Sequence, residues 1–207
     1  MNSDFQKINN NSKTLVICFS GIWLAIDKIP VFEFSNSLSS PELNLDILLL
    51  RDFEEFWYLK GLKDTCNNFD SFLLFLQNEI NKYDKVVAIG ASAGGYASIL
   101  ATSLLNFDGC ISFIPQTDLK TARQHNDQSF KKISPILNTS IGKKYQNLSK
   151  HINNVSKYYI YSYNNDDKLH GSHQFNNISH HCNVFRLPHG AKRMIKDNSL
   201  VDLILEF

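Results

Sequence analysis

The chain has no excess of charge of either sign: its 207 residues carry 21 Lys and Arg against 20 Asp and Glu, a formal net charge of +1. Such a balance builds no field for a polyanion and no polybasic stripe interrupts it, so nucleic acid is excluded as a partner at this level. Nor is there an apolar run near the roughly 20 residues that a bilayer crossing needs. The longest near the start, Leu15 to Ile26, is broken by Ser20 and Gly21, follows an Asn-rich leader with few positive charges and lacks a small-residue cleavage site. It reads as a strand of a cytoplasmic protein with no membrane span. Cysteine is sparse: Cys18, Cys66, Cys110 and Cys182 are widely separated. Neither paired nor metal-type spacing is present, so buried free thiols are expected and no metal ion. No internal repeat divides the chain.

What the chain does have is enough apolar material, 43% of its residues, to bury one substantial core, and a single domain spanning 1–207 is expected. The most informative stretch is Lys85-Val86-Val87-Ala88-Ile89-Gly90-Ala91-Ser92-Ala93-Gly94-Gly95-Tyr96. An apolar, β-branched run reads as a buried strand, and the small-residue run after Ser92 reads as a helix. Gly90-x-Ser92-x-Gly94 between them is a nucleophile elbow, a turn that lifts the serine hydroxyl above the strand's carboxyl end where the following helix aims N–H groups at any anion forming there. A phosphate-binding turn is the competing reading, with Asp108 as its acidic residue. Against it, Ser92 stands where the second glycine of a dinucleotide fingerprint would be, and a side chain there would obstruct a pyrophosphate.

A serine nucleophile needs a base, and the base needs an acid to orient it. Lys157 to Tyr163 reads as a strand that delivers Asp166 and Asp167, and a final strand, Asn183 to Leu187, ends at Pro188-His189-Gly190. Serine, acid and histidine thus each fall at a strand's carboxyl end, in that order, with Asp166 and Asp167 not separable by spacing. His125, His151, His170, His173, His180 and His181 are alternatives for the base; His170 and His173 could share a helix face, but no third metal ligand is suggested. Earlier, the strand Thr14 to Phe19 ends at Ser20-Gly21-Ile22-Trp23. The N–H of Ile22 or Gly21 is the candidate second oxyanion donor, with that of Ala93 as the first. Ser20, Trp23, Asp52, Trp57, Tyr58, Gln116 and Thr117 follow strand ends and are expected to line a substrate pocket.

The remaining elements are ordinary. Residues 1–13 are polar and expected to fray. Val31 to Phe34 reads as an edge strand and Leu45 to Leu50 as a buried one. Phe69, Phe72, Leu73, Phe75, Leu76 and Ile80 recur at helical spacing after Asn67 and Asn68. Cys110 to Ile114 reads as a strand. From Leu119 to about Ser149 the chain turns polar, which suggests a lid or binding insertion. Residues 191–207 read as a closing helix.

Gly90-Ala91-Ser92-Ala93-Gly94-Gly95-Tyr96, with the later Asp and His, resembles the α/β-hydrolase superfamily over nearly the whole chain. More narrowly, Arg51-Asp52 with Trp57-Tyr58-x-x-Gly61-Leu62, Phe113-x-Pro115-Gln116-Thr117 and Asp167-Lys168-x-His170 is similar to small α/β-hydrolase-like proteins of bacterial surface-polysaccharide loci. That similarity implies an α/β fold with a mostly parallel sheet covered by helices on both faces. It favours Asp167 as the acid and implies a glycan-related role. A serine esterase or deacylase, acting on an acylated saccharide or small ester without a cofactor, is the expected activity. An O-acetyltransferase that takes its acyl group from acetyl-CoA is the alternative, and a non-catalytic glycan-assembly protein on the same scaffold is the third. The chain departs from the superfamily at the oxyanion turn, which reads Ser20-Gly21 where many members have His-Gly.

Overall fold

The computed structural model describes residues 3–22, 25–26, 29–30, 32–122, 131–162, 179–182, 194 and 199–207. The apolar runs become strands β1 (Phe5–Ile8), β2 (Thr14–Phe19), β5 (Asp46–Leu50), β6 (Lys85–Ala91), β7 (Gly109–Phe113), β8 (Lys157–Ser162) and β9 (Ser179–Cys182). They form one sheet in the order β1-β5-β2-β6-β7-β8-β9, with β1 antiparallel to β5 and every other pair parallel. A separate two-stranded ribbon joins β3 (Ala25–Ile26) to β4 (Ile29–Pro30).

Strand side chains alternate between two cores, as a period of two requires. Leu15, Ile17, Phe19, Leu48, Leu50, Val86, Ala88, Cys110, Tyr158 and Ile160 face one core. Val16, Cys18, Ile47, Leu49, Val87, Ile89, Ile111 and Phe113 face the other. The first core is covered by helix α2 (Phe69–Ile80) and helix α3 (Ala93–Leu105). α2 starts at an Asn68–Ser71 capping box and buries Phe69, Phe72 and Leu76. The second is covered by α1 (Ser35–Leu38), Met194 and, at the end of the chain, Ser199–Leu205. Because both faces are buried, the central strands carry no polar alternation. No helix among the described residues is long and apolar enough to cross a membrane.

The segment after β7 contributes to the first core. Its helices α4 (Leu119–Ala122), α5 (Ile133–Leu137) and α6 (Ser140–Tyr145) bury Leu119, Ala122, Ile133, Ile136 and Tyr145. Backbone bonds from Leu119 N–H to Gln146 O at 2.8 Å and from Leu148 N–H to Thr117 O at 2.9 Å tie the segment's two ends together. The Tyr96 hydroxyl donates to the Tyr145 carbonyl at 2.7 Å, fixing it to α3. The final helix, Ser199–Leu205, is α7 here.

Two expectations need correction. Residues 5–8 do not fray: they pair with β5, Phe5 packs on Phe75 at 5.3 Å, and the Arg51 N–H donates to the Asp4 carbonyl. Phe32 to Phe34 is no edge strand but a turn into α1, with Phe34 at φ 67°. The last described strand is Ser179–Cys182, ahead of the expected run 183–187, which lies outside the described residues. As expected, Cys18, Cys66 and Cys110 are buried free thiols.

Candidate active site

β6 ends at Ala91 and α3 begins at Ala93, leaving Ser92 alone to turn the chain at φ 54° and ψ −119°. This backbone region is sparsely populated by residues with a side chain and is held only by its surroundings. Ser92 N–H donates to the Phe113 carbonyl at 2.9 Å and Tyr96 N–H donates to the Ser92 carbonyl at 3.0 Å, so the elbow is bonded on both sides. The flanking glycines are demanded by close approach. A Cβ on Gly90 would stand 2.1 Å from the Gly94 carbonyl oxygen, and one on Gly94 would stand 2.1 Å from that of Phe19. Ala93 opens α3, and the first N–H groups of a helix have no partner within it. Asp108, the acid of the competing phosphate reading, accepts from Val86 N–H at 2.7 Å and so holds the opposite end of β6.

The turn after β2 packs against this elbow. A Cβ on Gly21 would lie 3.1 Å from the Ala91 carbonyl oxygen and 3.8 Å from the Ser92 Cβ. A residue without a motif to announce it, Glu33, holds the turn at two points. Its carboxylate accepts from Gly21 N–H at 2.9 Å, and its own N–H donates to Ser20 Oγ at 3.0 Å. Burial pushes the Glu33 carboxyl up to about 7, with the Gly21 N–H opposing. Gly21 N–H is thereby engaged, which leaves Ile22 the better candidate of the two oxyanion donors. The one available signal for Glu33 was a lone charge inside the apolar run Val31-Phe32-Glu33-Phe34.

The loop after β5 braces the same turn. Asp52, mostly buried, accepts from the N–H groups of Glu54, Phe56 and Tyr58 at 3.0, 2.7 and 2.9 Å. Burial raises its carboxyl to about 6, against those three donors. The loop so wrapped sets Trp57 at φ 54° and Tyr58 at φ 62°, both fully buried. The Tyr58 hydroxyl reaches the carbonyls of Ser20 and Leu50 at 2.9 and 3.1 Å. Asp52 and Tyr58, expected at a pocket wall, thus have their polar atoms satisfied inside the protein. Arg51 lies over the rings of Phe32 and Phe53 at 4.2 and 4.7 Å.

On the other side of Ser92, β7 runs into Ile114 at φ 43° and then into Gln116 and Thr117, both buried. The Gln116 amide nitrogen lies 3.1 Å from Ser92 Oγ, and the Trp57 indole N–H donates to Gln116 Oε1 at 3.2 Å. The Thr117 carbonyl accepts from Leu148 N–H. Asp118 caps α4 through Thr121 N–H at 2.9 Å and accepts from Asn147 at 2.9 Å. Asp166, Asp167, His189 and Trp23 lie outside the described residues.

No family model matches the chain, and a comparison with curated proteins finds no match. Solved structures do match. The capsule O-acetyltransferase of Neisseria meningitidis serogroup A superposes with a TM-score of 0.65 at 14% identity, over 100% of this chain and 92% of that one. The Glycosylation Associate Protein (Gap123) complex of Streptococcus agalactiae gives 0.65 at 14%, over 97% of this chain and 43% of that one. The fluorophosphonate-binding serine hydrolase F of Staphylococcus aureus gives 0.59 at 15%, over 94% and 82%. At such identities the likeness speaks for architecture, and the architecture agrees with the parallel sheet and the strained serine at its strand-to-helix junction: the chain has the α/β-hydrolase fold.

Proposed function

We propose that the protein is a serine hydrolase, an esterase or deacylase that acts on an acylated saccharide or small ester through an acyl-Ser92 intermediate. The observation that carries this reading is the backbone of Ser92, held at φ 54° and ψ −119° between β6 and α3. Strain of about 1–3 kcal/mol at one residue persists only where the surrounding structure over-determines it, and here its effect is to present one hydroxyl at the sheet's carboxyl edge. In this reading Ser92 Oγ bonds to the ester carbonyl carbon while its proton passes to His189, oriented by Asp167 or by Asp166. The N–H groups of Ala93 and Ile22 hold the oxyanion. The alcohol leaves with the proton, and water then splits the acyl-enzyme to release the acid and restore Ser92. Ser20, Trp23, Gln116 and Thr117 would border the substrate.

A second reading keeps the same acyl-Ser92, takes the acyl group from acetyl-CoA and gives it to a sugar hydroxyl in place of water. It is favoured by the fold match to a capsule O-acetyltransferase over the full length of this chain. Intact-mass spectrometry after brief exposure to p-nitrophenyl acetate or to acetyl-CoA tests both. An acetyl adduct on the wild-type chain, absent from Ser92→Ala together with a loss of hydrolysis of 10³-fold or more (an order-of-magnitude expectation for losing a nucleophile), is expected. Undiminished hydrolysis by Ser92→Ala overturns both readings. Adduct removal that quickens when an oligosaccharide is added selects the transferase.

A further inference from the structure

The two ends of the Gln116 amide are not chemically equivalent, and its neighbours select one orientation. The Trp57 indole N–H can only donate, and it lies 3.2 Å from Gln116 Oε1. With the oxygen committed to the indole, the amide nitrogen turns to Ser92, 3.1 Å from Oγ, and lies 3.4 Å from the Ile114 carbonyl. The other contact, Ser92 Oγ to Gln116 Oε1, is 3.4 Å, well beyond the usual O–H···O separation of about 2.7–2.8 Å, so the nitrogen contact governs. Trp57 and Gln116 are 1% and 4% exposed, which leaves water little part in the arrangement. Ser92, Trp57 and Ile114 all have positive φ, at 54°, 54° and 43°. For the β-branched Ile114 this is a true outlier. Strained backbone is gathered around the Gln116 amide.

We propose that Gln116, aligned by Trp57, donates its amide N–H to the Ser92 oxygen when negative charge develops there, both as that oxygen attacks and as it departs from an acyl-enzyme. This rests on the serine reading above and adds to it a donor at the nucleophile itself, distinct from the backbone N–H groups aimed at the carbonyl oxygen. An amide is neither acid nor base in this pH range, so its action is on charge and not on proton transfer. Ser92, accepting the N–H, keeps its own hydrogen for the base. A hydrogen bond to a charged oxygen is roughly twice as strong as one to a neutral oxygen, so the contact strengthens on the way to the transition state and accelerates the step. Trp57 is a positioning residue, acting through the amide it orients.

The rate of labelling by a fluorophosphonate tests this, since Ser92 Oγ forms a bond to phosphorus, the P–F bond breaks, fluoride leaves and the serine proton passes to the base. Gln116→Ala is expected to slow labelling by about 10²-fold, the scale of one lost transition-state donor. Gln116→Glu keeps the shape but replaces the N–H with an acceptor. It is expected to be at least as slow, with the rising limb of its pH profile displaced to higher pH by the added negative charge. Trp57→Phe, which frees the amide to turn over, should fall between. In ester hydrolysis the loss should appear in kcat with KM little changed. Should Gln116→Ala fail to fold by circular dichroism, Gln116→Glu and Trp57→Phe decide the matter. A labelled wild-type chain whose Gln116 variants label equally fast, or lose only KM, overturns this inference alone. An unlabelled wild-type chain overturns the serine reading and this inference with it.

Discussion

On the β2 flank of Ser92 the turn is held by two carboxyl groups, Glu33 on Gly21 and Asp52 on the loop that carries Tyr58. On the β7 flank the hydroxyl is met by a neutral amide that an indole orients. The first flank titrates: burial raises the Glu33 and Asp52 carboxyls to about 7 and about 6. Gln116 and Trp57 have no charge to gain or lose. Geometry around a single serine can thus be fixed by two chemistries with opposite sensitivities. A carboxylate can collect several backbone N–H groups at once, as Asp52 does, and so builds a loop from one point, but its burial makes the loop answer to pH. An amide makes fewer bonds and holds them at any pH.

The sharpest way to break this contrast is Asp52→Ala. It orphans three N–H groups, two of them buried. At roughly 1–3 kcal/mol for each buried orphan, and about 2–4 °C per kcal/mol for a chain of this size, Tm should fall by about 5 °C or more. An unchanged Tm in a calorimetric scan would show that Asp52 does not build the loop.

Glu33→Gln sharpens the contrast, because the amide oxygen still accepts from Gly21 N–H but no longer titrates. The Glu33 carboxyl is raised from an ordinary value of 4.5 to about 7. Between those values the unfolded chain has lost the proton that the folded chain keeps, so wild-type stability falls as pH rises through the window and levels off above it. Asp52, raised from 3.8 to about 6, adds a fall of the same sign at lower pH. Denaturant titrations from pH 4 to 8 should show a shallower decline for Glu33→Gln, which is expected to be the more stable protein above pH 7. A decline as steep as that of the wild type would remove Glu33 as its source. The smallest effect belongs to Tyr58→Phe, which deletes the hydroxyl facing the Ser20 and Leu50 carbonyls. About 1 kcal/mol is expected, measured as a shift in the denaturation midpoint at unchanged slope, and at every pH alike.

Much of this arrangement was legible from local pattern. The run Lys85 to Ala91 announced a buried strand, and the glycines around Ser92 announced a turn that other residues could not make. Asn67 and Asn68 pointed to the start of α2, and Asn68 is its cap. What was not legible shares one cause. β1 is a strand because β5 has an open edge, and its four residues, FQKI, carry too short an apolar pattern to say so. The 119–149 segment looks polar overall, yet Leu119, Ala122, Ile133, Ile136 and Tyr145 are core residues spaced over several short helices, so no single window shows their periodicity. Glu33 meets Gly21, Gln116 meets Ser92 and Trp57 meets Gln116 across separations of 12, 24 and 59 residues, and sequence spacing does not say which of these groups bond to one another at that range.

By itself the sequence determined the central elements: strands where β-branched residues run together, a helix where small residues follow Ser92, and an elbow where Gly90 and Gly94 permit backbones to touch. These are local preferences, set by sterics and side-chain volume within a few residues. Only the tertiary structure decided which carboxyl secures Gly21, which way the Gln116 amide faces and why Ser92 stays in a backbone conformation it would not hold alone. Those are outcomes of contacts between distant strand ends, and burial at the sheet's edge gives each of them its strength.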